Sequence, residues 1–332
     1  MQPIHLGSLQ LKNNIVYAAL SGFTDFPFRM IASQFQPGLQ FCEMVSIEAL
    51  TRFDRKTFNY LAKTASMHPI GCQIYGACPE KAAQAARIAE ELGFDVVDLN
   101  CGCPVDKVTD TGGGSALLKT PRLIGTILEK MVGVVTIPVT VKIRAGWDES
   151  HLVANEITHI AESAGARAIT IHGRTRKQGY RGRANWDWIQ EAKKCATTIK
   201  VFGNGDVFCA RDAVDMFART GCDGIVVARG LLGQPWIVED IEALQNQREP
   251  KKKTNEEKRN LLLAHLEWLL HFSSEEQALA DIRRIGCTYF RGERESRLLR
   301  GALTSASSLE QIREIINKCP ASATREGLPQ TK

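Results

Sequence analysis

Between residues 15 and 228, short β-branched runs alternate with amphipathic stretches about eight times over, and no other feature constrains the fold as tightly. The runs at 15–19, 39–42, 70–74, 96–99, 137–143, 168–171, 199–202 and 224–227 have the length and Val/Ile content of buried parallel strands. Segments 79–92, 121–132, 151–164 and 210–219 lie between them with helical periodicity. Eight strand–helix repeats are what a (β/α)8 barrel needs. A doubly wound sheet is the competing topology, but no G-x-G-x-x-G turn follows the first strand. The expected fold class is α/β, a (β/α)8 TIM barrel.

The rhythm stops near residue 247. Arg248-Glu249-Pro250-Lys251-Lys252-Lys253 is polar, broken by proline and aperiodic, as in a linker. Beyond it, 258–272, 275–290, 293–303 and 309–316 read as helices. The expected organisation is a barrel over 1–246, a linker over 247–257, a small C-terminal all-α helical domain over 258–320 and a flexible tail over 321–332. With 332 residues, 44% of them hydrophobic, the chain can bury a core of that size.

Several classes are disfavoured. No apolar run approaches the roughly 18 residues of a membrane span. No basic region followed by an apolar stretch marks a secretory leader. The ten cysteines are scattered, and Cys42, Cys72 and Cys222 sit inside apolar strands, which reads as reduced thiols in a cytoplasmic protein. There is no C-x-x-C pair, so no metal site is expected. The net charge of +5 permits a nucleic-acid partner without demanding one.

Barrel strands aim their C-terminal ends at the active site. Here those ends are polar. Strand one leads into Ala18-Ala19-Leu20, strand two into Glu43, and strand three carries Gln73. Strand four gives Asn100-Cys101-Gly102-Cys103-Pro104, with Gly112-Gly113-Gly114-Ser115 soon after, and strand five gives Lys142 and Arg144. Strand six ends at His172, strand seven at Asn204-Gly205-Asp206 and strand eight at Ala228-Arg229-Gly230. The glycine turns after the last two strands occupy the usual phosphate-binding corner of barrels. The lysine and glutamine suit the oxygens and nitrogens of a flavin ring. Taken singly, each feature has a plain structural reading: a hydrogen-bonded histidine, a charge-neutralising lysine, an ordinary turn. Their joint appearance on several strands favours a site. Of the two cysteines, Cys101 is nearer the strand and expected to pack. Cys103, between Gly102 and Pro104, should lie on the loop and is the candidate acid or nucleophile.

These residues resemble the tRNA dihydrouridine synthase family of flavoproteins, most closely its bacterial B-type branch, and the likeness covers nearly the whole chain. It rests on Asp98-Leu99-Asn100-Cys101-Gly102-Cys103-Pro104 with Gly113-Gly114-Ser115-Ala116-Leu117-Leu118, on Val141-Lys142-Ile143-Arg144-Ala145-Gly146-Trp147, and on Ile171-His172-Gly173-Arg174-Thr175-Arg176. Gly203-Asn204-Gly205-Asp206 and Arg229-Gly230 with Gln234-Pro235-Trp236 add to it. Two departures stand out. Ala19 replaces the family's usual proline and Leu20 its methionine, and Ile285 follows Arg283-Arg284 where the family often has histidine.

The resemblance implies FMN at the barrel mouth, NADPH or NADH as a transient reductant, and reduction of the C5–C6 double bond of a tRNA D-loop uridine. On this basis Ala18, Ala19, Leu20, Gln73, Lys142, His172, Asn204, Gly205, Asp206, Ala228 and Arg229 are the expected cofactor contacts, and Cys103 is the proton donor to C5. Asn100, Arg144, Arg174, Arg176, Arg283, Arg284, Arg291 and Arg294 are the expected substrate contacts, the last four on a basic side of the helical domain. A monomer is expected. The alternatives are an FMN barrel acting on a small molecule, as dihydroorotate dehydrogenases do, and an RNA-binding protein without catalysis.

Overall fold

The structure, a computed structural model, describes residues 3–290 and 296–318. The chain divides into two compact units. The first comprises Met1–Leu231 and Pro235–Pro250, and the second comprises Leu232–Gln234 and the described residues from Lys251 onward.

In the first unit eight parallel strands close on themselves. We label them β1 (Ile15–Tyr17), β2 (Leu39–Phe41), β3 (Ile70–Tyr75), β4 (Val96–Cys101), β5 (Val139–Gly146), β6 (Ala168–Thr175), β7 (Lys200–Asn204) and β8 (Gly224–Val227). Each pairs with its neighbours in sequence, and β8 pairs back onto β1 (Ile225 with Ile15), so the expected TIM barrel is formed. A short extra strand, Val45–Ser46, continues β2 against the end of β3. Strands β5 and β6 run past their expected ends because they keep pairing through a register shift between Arg144 and Gly146. Arg144, His172 and Arg174 are therefore strand residues, not loop residues.

Side chains alternate across a strand, so residues two apart share a face. The inward set starts apolar. Val16, Leu39, Phe41, Val96, Ala168, Phe202 and Val226 form one buried cluster with Ile4, Leu6 and Leu11. The last three belong to an antiparallel hairpin, Ile4–Leu6 with Leu9–Leu11, which plugs the N-terminal mouth of the barrel. Sequence periodicity carries no sign of this plug, because three-residue strands are too short to hold a pattern. Two aromatic rings fill the interior only because a neighbouring strand yields space: a Cβ on Gly71 would stand 2.2 Å from the Phe41 ring, and one on Gly224 2.0 Å from the Phe202 ring.

In the second unit the helices are Asn255–Phe272, Glu275–Tyr289, Ser296–Ser305 and Leu309–Asn317. The first begins inside the expected linker. Thr254 Oγ1 accepts from the Glu257 N–H at 3.1 Å while Glu257 Oε2 accepts from the Thr254 N–H at 2.7 Å, a capping box that starts the helix early. Leu262, Leu266, Ile282, Ile285, Leu303, Ile312 and Ile316 make its core. Ile285, the departure from the family's histidine, is 3% exposed, so an apolar residue there packs rather than meeting solvent. Among the described residues no helix is long and apolar enough to cross a membrane.

Candidate active site

Toward the C-terminal ends of the strands the inward set turns polar. Gln73, Asp98, Asn100, Thr140, Lys142, Arg144, Thr170, His172, Arg174 and Asn204 all lie in this phase. Strand register sets them side by side: Gln73 beside Asp98, Asn100 beside Lys142, Arg144 beside His172, and His172 beside Asn204. A patch of polar groups drawn from five strands is thus a consequence of period-two alternation plus parallel register.

Around β3 to β5 these groups form one chain of hydrogen bonds. Thr140 Oγ1 donates to Asp98 Oδ1 at 2.6 Å and Gln73 Nε2 donates to Asp98 Oδ2 at 2.8 Å. Asn100 Nδ2 donates to Gln73 Oε1 at 2.8 Å. Asn100 Oδ1 accepts from the N–H groups of Gly102 and Cys103 at 3.0 and 2.9 Å. A carboxylate accepts only, and two backbone N–H groups donate only, so both ends of the chain fix the same orientation of the two amides. Burial raises the Asp98 carboxyl to about 6 against the hydrogen bonds of Thr140 and Gln73 and the charge of Lys142.

The Cys103 loop is held from a second side. The Cys103 carbonyl accepts from the Ser115 N–H at 2.9 Å. A Cβ on Gly114, which has φ +56°, would stand 2.7 Å from that carbonyl oxygen, so the glycine run lets the chain return against the thiol loop. Cys101 is fully buried in β4, whereas Cys103 is half-buried on the loop, which is the division expected between them. Burial pushes the Cys103 thiol up, against a backbone hydrogen bond at Val105 and the positive charges of Arg144 and Lys142, so it is neutral at pH 7.

Lys142 Nζ donates to Asn204 Oδ1 at 3.1 Å, and Asn204 Nδ2 donates to the Val226 carbonyl at 2.6 Å. Burial and then Arg144 pull the Lys142 ammonium down to about 8, with Asp98 and Cys103 opposing. His172 is held well below its ordinary value, first by burial and then by Lys142, Arg144, Arg174 and Arg229. It is a neutral imidazole whose Nε2 faces Arg174 Nη1 at 3.4 Å. This mouth carries an excess of positive charge, which favours an anionic ligand.

At the β7 and β8 ends, Asp206 binds Arg174 in a fork, Nη1 to Oδ1 at 2.8 Å and Nη2 to Oδ2 at 2.7 Å. Arg229 Nη2 reaches Asp206 Oδ1 at 3.3 Å, and the Arg229 guanidinium lies 4.4 Å from the Tyr180 ring centroid. Beside this turn a cleft of about 550 Å³ is lined by Arg174, Arg183, Trp186, Asp206, Phe208 and Arg229, among others. Ala18 donates its N–H to the Val227 carbonyl at 2.9 Å, which sets Ala18-Ala19-Leu20 next to Ala228.

The arginines expected to meet substrate are deployed differently. Arg144 is buried, with Nε on the Gly102 carbonyl at 2.9 Å and Nη1 on the carbonyls of Thr175 and Gly179 at 2.9 and 2.8 Å. It ties the Cys103 loop to the loop beyond β6. Arg174 is likewise buried. Arg176 is partly exposed and pairs with Asp106 at 3.2 Å. In the helical unit Arg283 donates to the Ala306 carbonyl and Arg284 pairs with Asp281 at 2.8 Å. Arg291 and Arg294 lie outside the described residues. Sequence reasoning did not single out Asp98, Thr140 or Tyr180. The first two were findable, lying two residues before Asn100 and Lys142 on the same strand face.

A family model for dihydrouridine synthases (Dus) matches residues 16–324. A probable tRNA-dihydrouridine synthase 1 of Synechocystis sp. is 35% identical over 324 residues, 97% of this chain and 90% of the relative. The tRNA-dihydrouridine synthase B of Pasteurella multocida is 37% identical over 303 residues, 91% of each chain. Among solved structures, a 2-naphthoyl-CoA reductase complex with 2-naphthoyl-CoA superposes with TM-score 0.59 at 14% identity, over 74% of this chain and 52% of that one. Morphinone reductase in complex with tetrahydroNAD gives TM-score 0.53 at 15% identity, over 75% and 92%. At such identities these two speak for the barrel fold alone. The two full-length relatives and the family match carry more: the chain belongs to the dihydrouridine synthase family.

Proposed function

We propose that this oxidoreductase reduces the C5–C6 double bond of a D-loop uridine in tRNA to 5,6-dihydrouridine, with FMN as resident cofactor and NADPH or NADH as reductant. The observation that carries this reading is a neutral thiol, Cys103, on a doubly anchored loop beside the partly buried ammonium of Lys142.

The donor set fits FMN. Lys142 offers an ammonium to an anionic ring edge, Gln73 an amide and His172 a neutral imidazole. Asn204, Gly205, Asp206, Ala228 and Arg229 supply backbone and guanidinium donors for the ribityl chain and phosphate. Ala18, Ala19 and Leu20 offer an apolar edge. Bound FMN, once reduced, supplies the hydride that uracil C6 receives. Cys103 holds the proton for C5 on Sγ and recovers it from solvent after each turnover. A thiol held neutral is the state that can donate. Asn100 orients the uracil, and Arg144 acts through the loop it holds. The nicotinamide visits without a Rossmann site of its own.

Reaching the base requires unstacking it, which costs a few kcal/mol and calls for backbone contacts elsewhere. We assign these to the partly exposed Arg176, to Arg174 through the loop it holds, and to the helical unit, where Arg297 and Arg300 are exposed on the helix Ser296–Ser305 beside Arg283, Arg284, Arg291 and Arg294 in sequence.

The test is Cys103→Ala. It should purify with its yellow colour intact and form dihydrouridine in tRNA roughly 10²–10⁴-fold more slowly, the usual worth of a positioned acid. Near-normal dihydrouridine formation would remove Cys103 from the role. Reduction of free uracil-like compounds without tRNA would favour a small-molecule enzyme instead.

A further inference from the structure

Trp147, at the end of β5, is absorbed by none of the roles above, yet three loops converge on it. Lys119 Nζ lies 3.7 Å from its ring centroid and the Arg176 guanidinium carbon 4.7 Å. The two charges are thus at most 8.4 Å apart, the sum of those two distances. Their positions are built rather than incidental. Arg176 and Lys177 donate backbone N–H groups to the carbonyls of Gly146 and Trp147, both at 2.9 Å, which locks the loop beyond β6 to the loop beyond β5. Lys119 closes the 3-10 turn Gly114–Lys119, whose first residues hold the Cys103 carbonyl. Any ligand on these cations is therefore in register with the thiol loop.

The cations are also available. Lys119 is exposed and, among the described residues, makes no ion pair. Arg176 has one carboxylate partner, Asp106, whose side chain is 83% exposed, and such surface pairs are weak and exchange readily for another anion. A ring occupied by two cations is a poor platform for a base. Its faces attract positive charge and hold two long side chains in place, lowering the entropy lost when they meet an anion.

We propose that Trp147, Lys119 and Arg176 form a phosphate grip for the tRNA strand that flanks the reacting uridine, with the indole as positioning residue and the two side chains as the phosphate-binding groups. The choice of tRNA over other anions rests on the function proposed above. The site adjoins the thiol loop, where the strand carrying the extruded base must pass, and a strand presents consecutive phosphates where a uracil-like or dihydroorotate-like substrate presents none.

The experiment measures tRNA affinity of the flavin-loaded full chain against salt concentration, for Lys119→Gln, Trp147→Leu, Trp147→Phe and the Lys119→Gln/Trp147→Leu double variant. Removing one phosphate-binding cation should flatten the log–log salt slope by about 0.7–0.9. Lys119→Gln and Trp147→Leu should each weaken binding roughly threefold to tenfold, as expected for a sequence-independent grip on phosphate. Trp147→Phe should retain most of the affinity, and the double variant should be little worse than either single. The KM for tRNA should rise with kcat at saturation and the KM for NADPH unchanged. An unaltered salt slope in Lys119→Gln overturns the proposal. So do fully additive single effects, or a rise confined to the KM for NADPH. Thermal melts identify any variant that fails to fold, and Trp147→Phe with Lys119→Gln then carries the test. If wild-type protein binds tRNA in this salt-dependent way but forms no dihydrouridine, the function fails while the grip stands.

Discussion

Replacing Asp206 by asparagine tests how the anion corner is held. The side chain keeps its shape, and asparagine tolerates the left-handed backbone at this position, where φ is +57°, so backbone strain is not added. The charge is what changes. Oδ1 accepts from Arg174 and Arg229, and Oδ2 accepts from Arg174 and the Ala184 N–H. An amide can keep one oxygen for two of these donors, and its NH2 must then face the other two. Arg174, with a side chain only 3% exposed, would retain the carbonyls of Gly182 and Arg181 but no counter-charge. Breaking a buried pair costs about 3–5 kcal/mol, and the 22% exposure of Asp206 argues for the low end, about 3 kcal/mol. For a unit of this size that is a fall in Tm of roughly 6–12 °C. Urea unfolding followed by tryptophan fluorescence suits the question, since Trp186 Nε1 donates to the Gly205 carbonyl at 3.0 Å. In a cycle with Arg174→Gln the double variant should be little less stable than either single. Burial pushes the Asp206 carboxyl up, but Arg174, the Ala184 N–H and Arg229 outweigh it and hold it below the ordinary range. Its contribution is therefore present above the unfolded value near 3.8 and lost as pH falls through the lower folded one, so the wild-type advantage should shrink below about pH 4. A coupling energy under about 1 kcal/mol would mean that the pair behaves as a surface ion pair, and the reasoning would fail.

Two further outcomes follow from the partly buried Lys142 and the buried His265. Lys142 is depressed from 10.5 to about 8, chiefly by burial, so its stabilising share exists above 10.5 and is lost as pH falls through about 8. Lys142→Met should then stabilise the apoprotein at pH 7 by about 2 kcal/mol while weakening FMN retention, read by melting curves and flavin fluorescence. A destabilised Lys142→Met apoprotein would contradict this. In the helical unit, buried His265 meets Tyr289 Oη at 3.1 Å, and burial lowers it to about 4. Its contribution is complete above 6.5 and lost as pH falls through 4, so full-length His265→Gln should flatten the acid loss of that unit's stability between those values by up to about 3 kcal/mol. An unchanged profile in circular dichroism would refute it.

Much of the site is legible in the sequence. Gln73, Asn100, Lys142, His172 and Asn204 stand at the ends of apolar runs, and such placement in a barrel is itself a pointer. Cys103 is separable from Cys101 because Gly102 and Pro104 flank it and end the strand at Cys101. Asp98 and Thr140 escape notice because a polar residue inside an apolar run looks like an interruption until its strand face is known. Arg144 and Arg174 stand in the sequence as substrate contacts, since charge is usually solvated and open to a ligand. Only backbone carbonyls and a carboxylate brought in from segments 31 to 42 residues away explain their burial.

Local pattern alone, then, set the eight strands, their helices and the loop bearing the thiol. These depend on periodicity and on glycine and proline, which act over a few neighbours. Barrel closure, the hairpin plug, the register that lines Gln73, Asp98, Asn100 and Lys142 along one face, and the displaced titrations of Asp98, Lys142 and His172 were decided by tertiary structure. Desolvation and charge coupling depend on which distant segments surround a group, and no window of sequence contains that information.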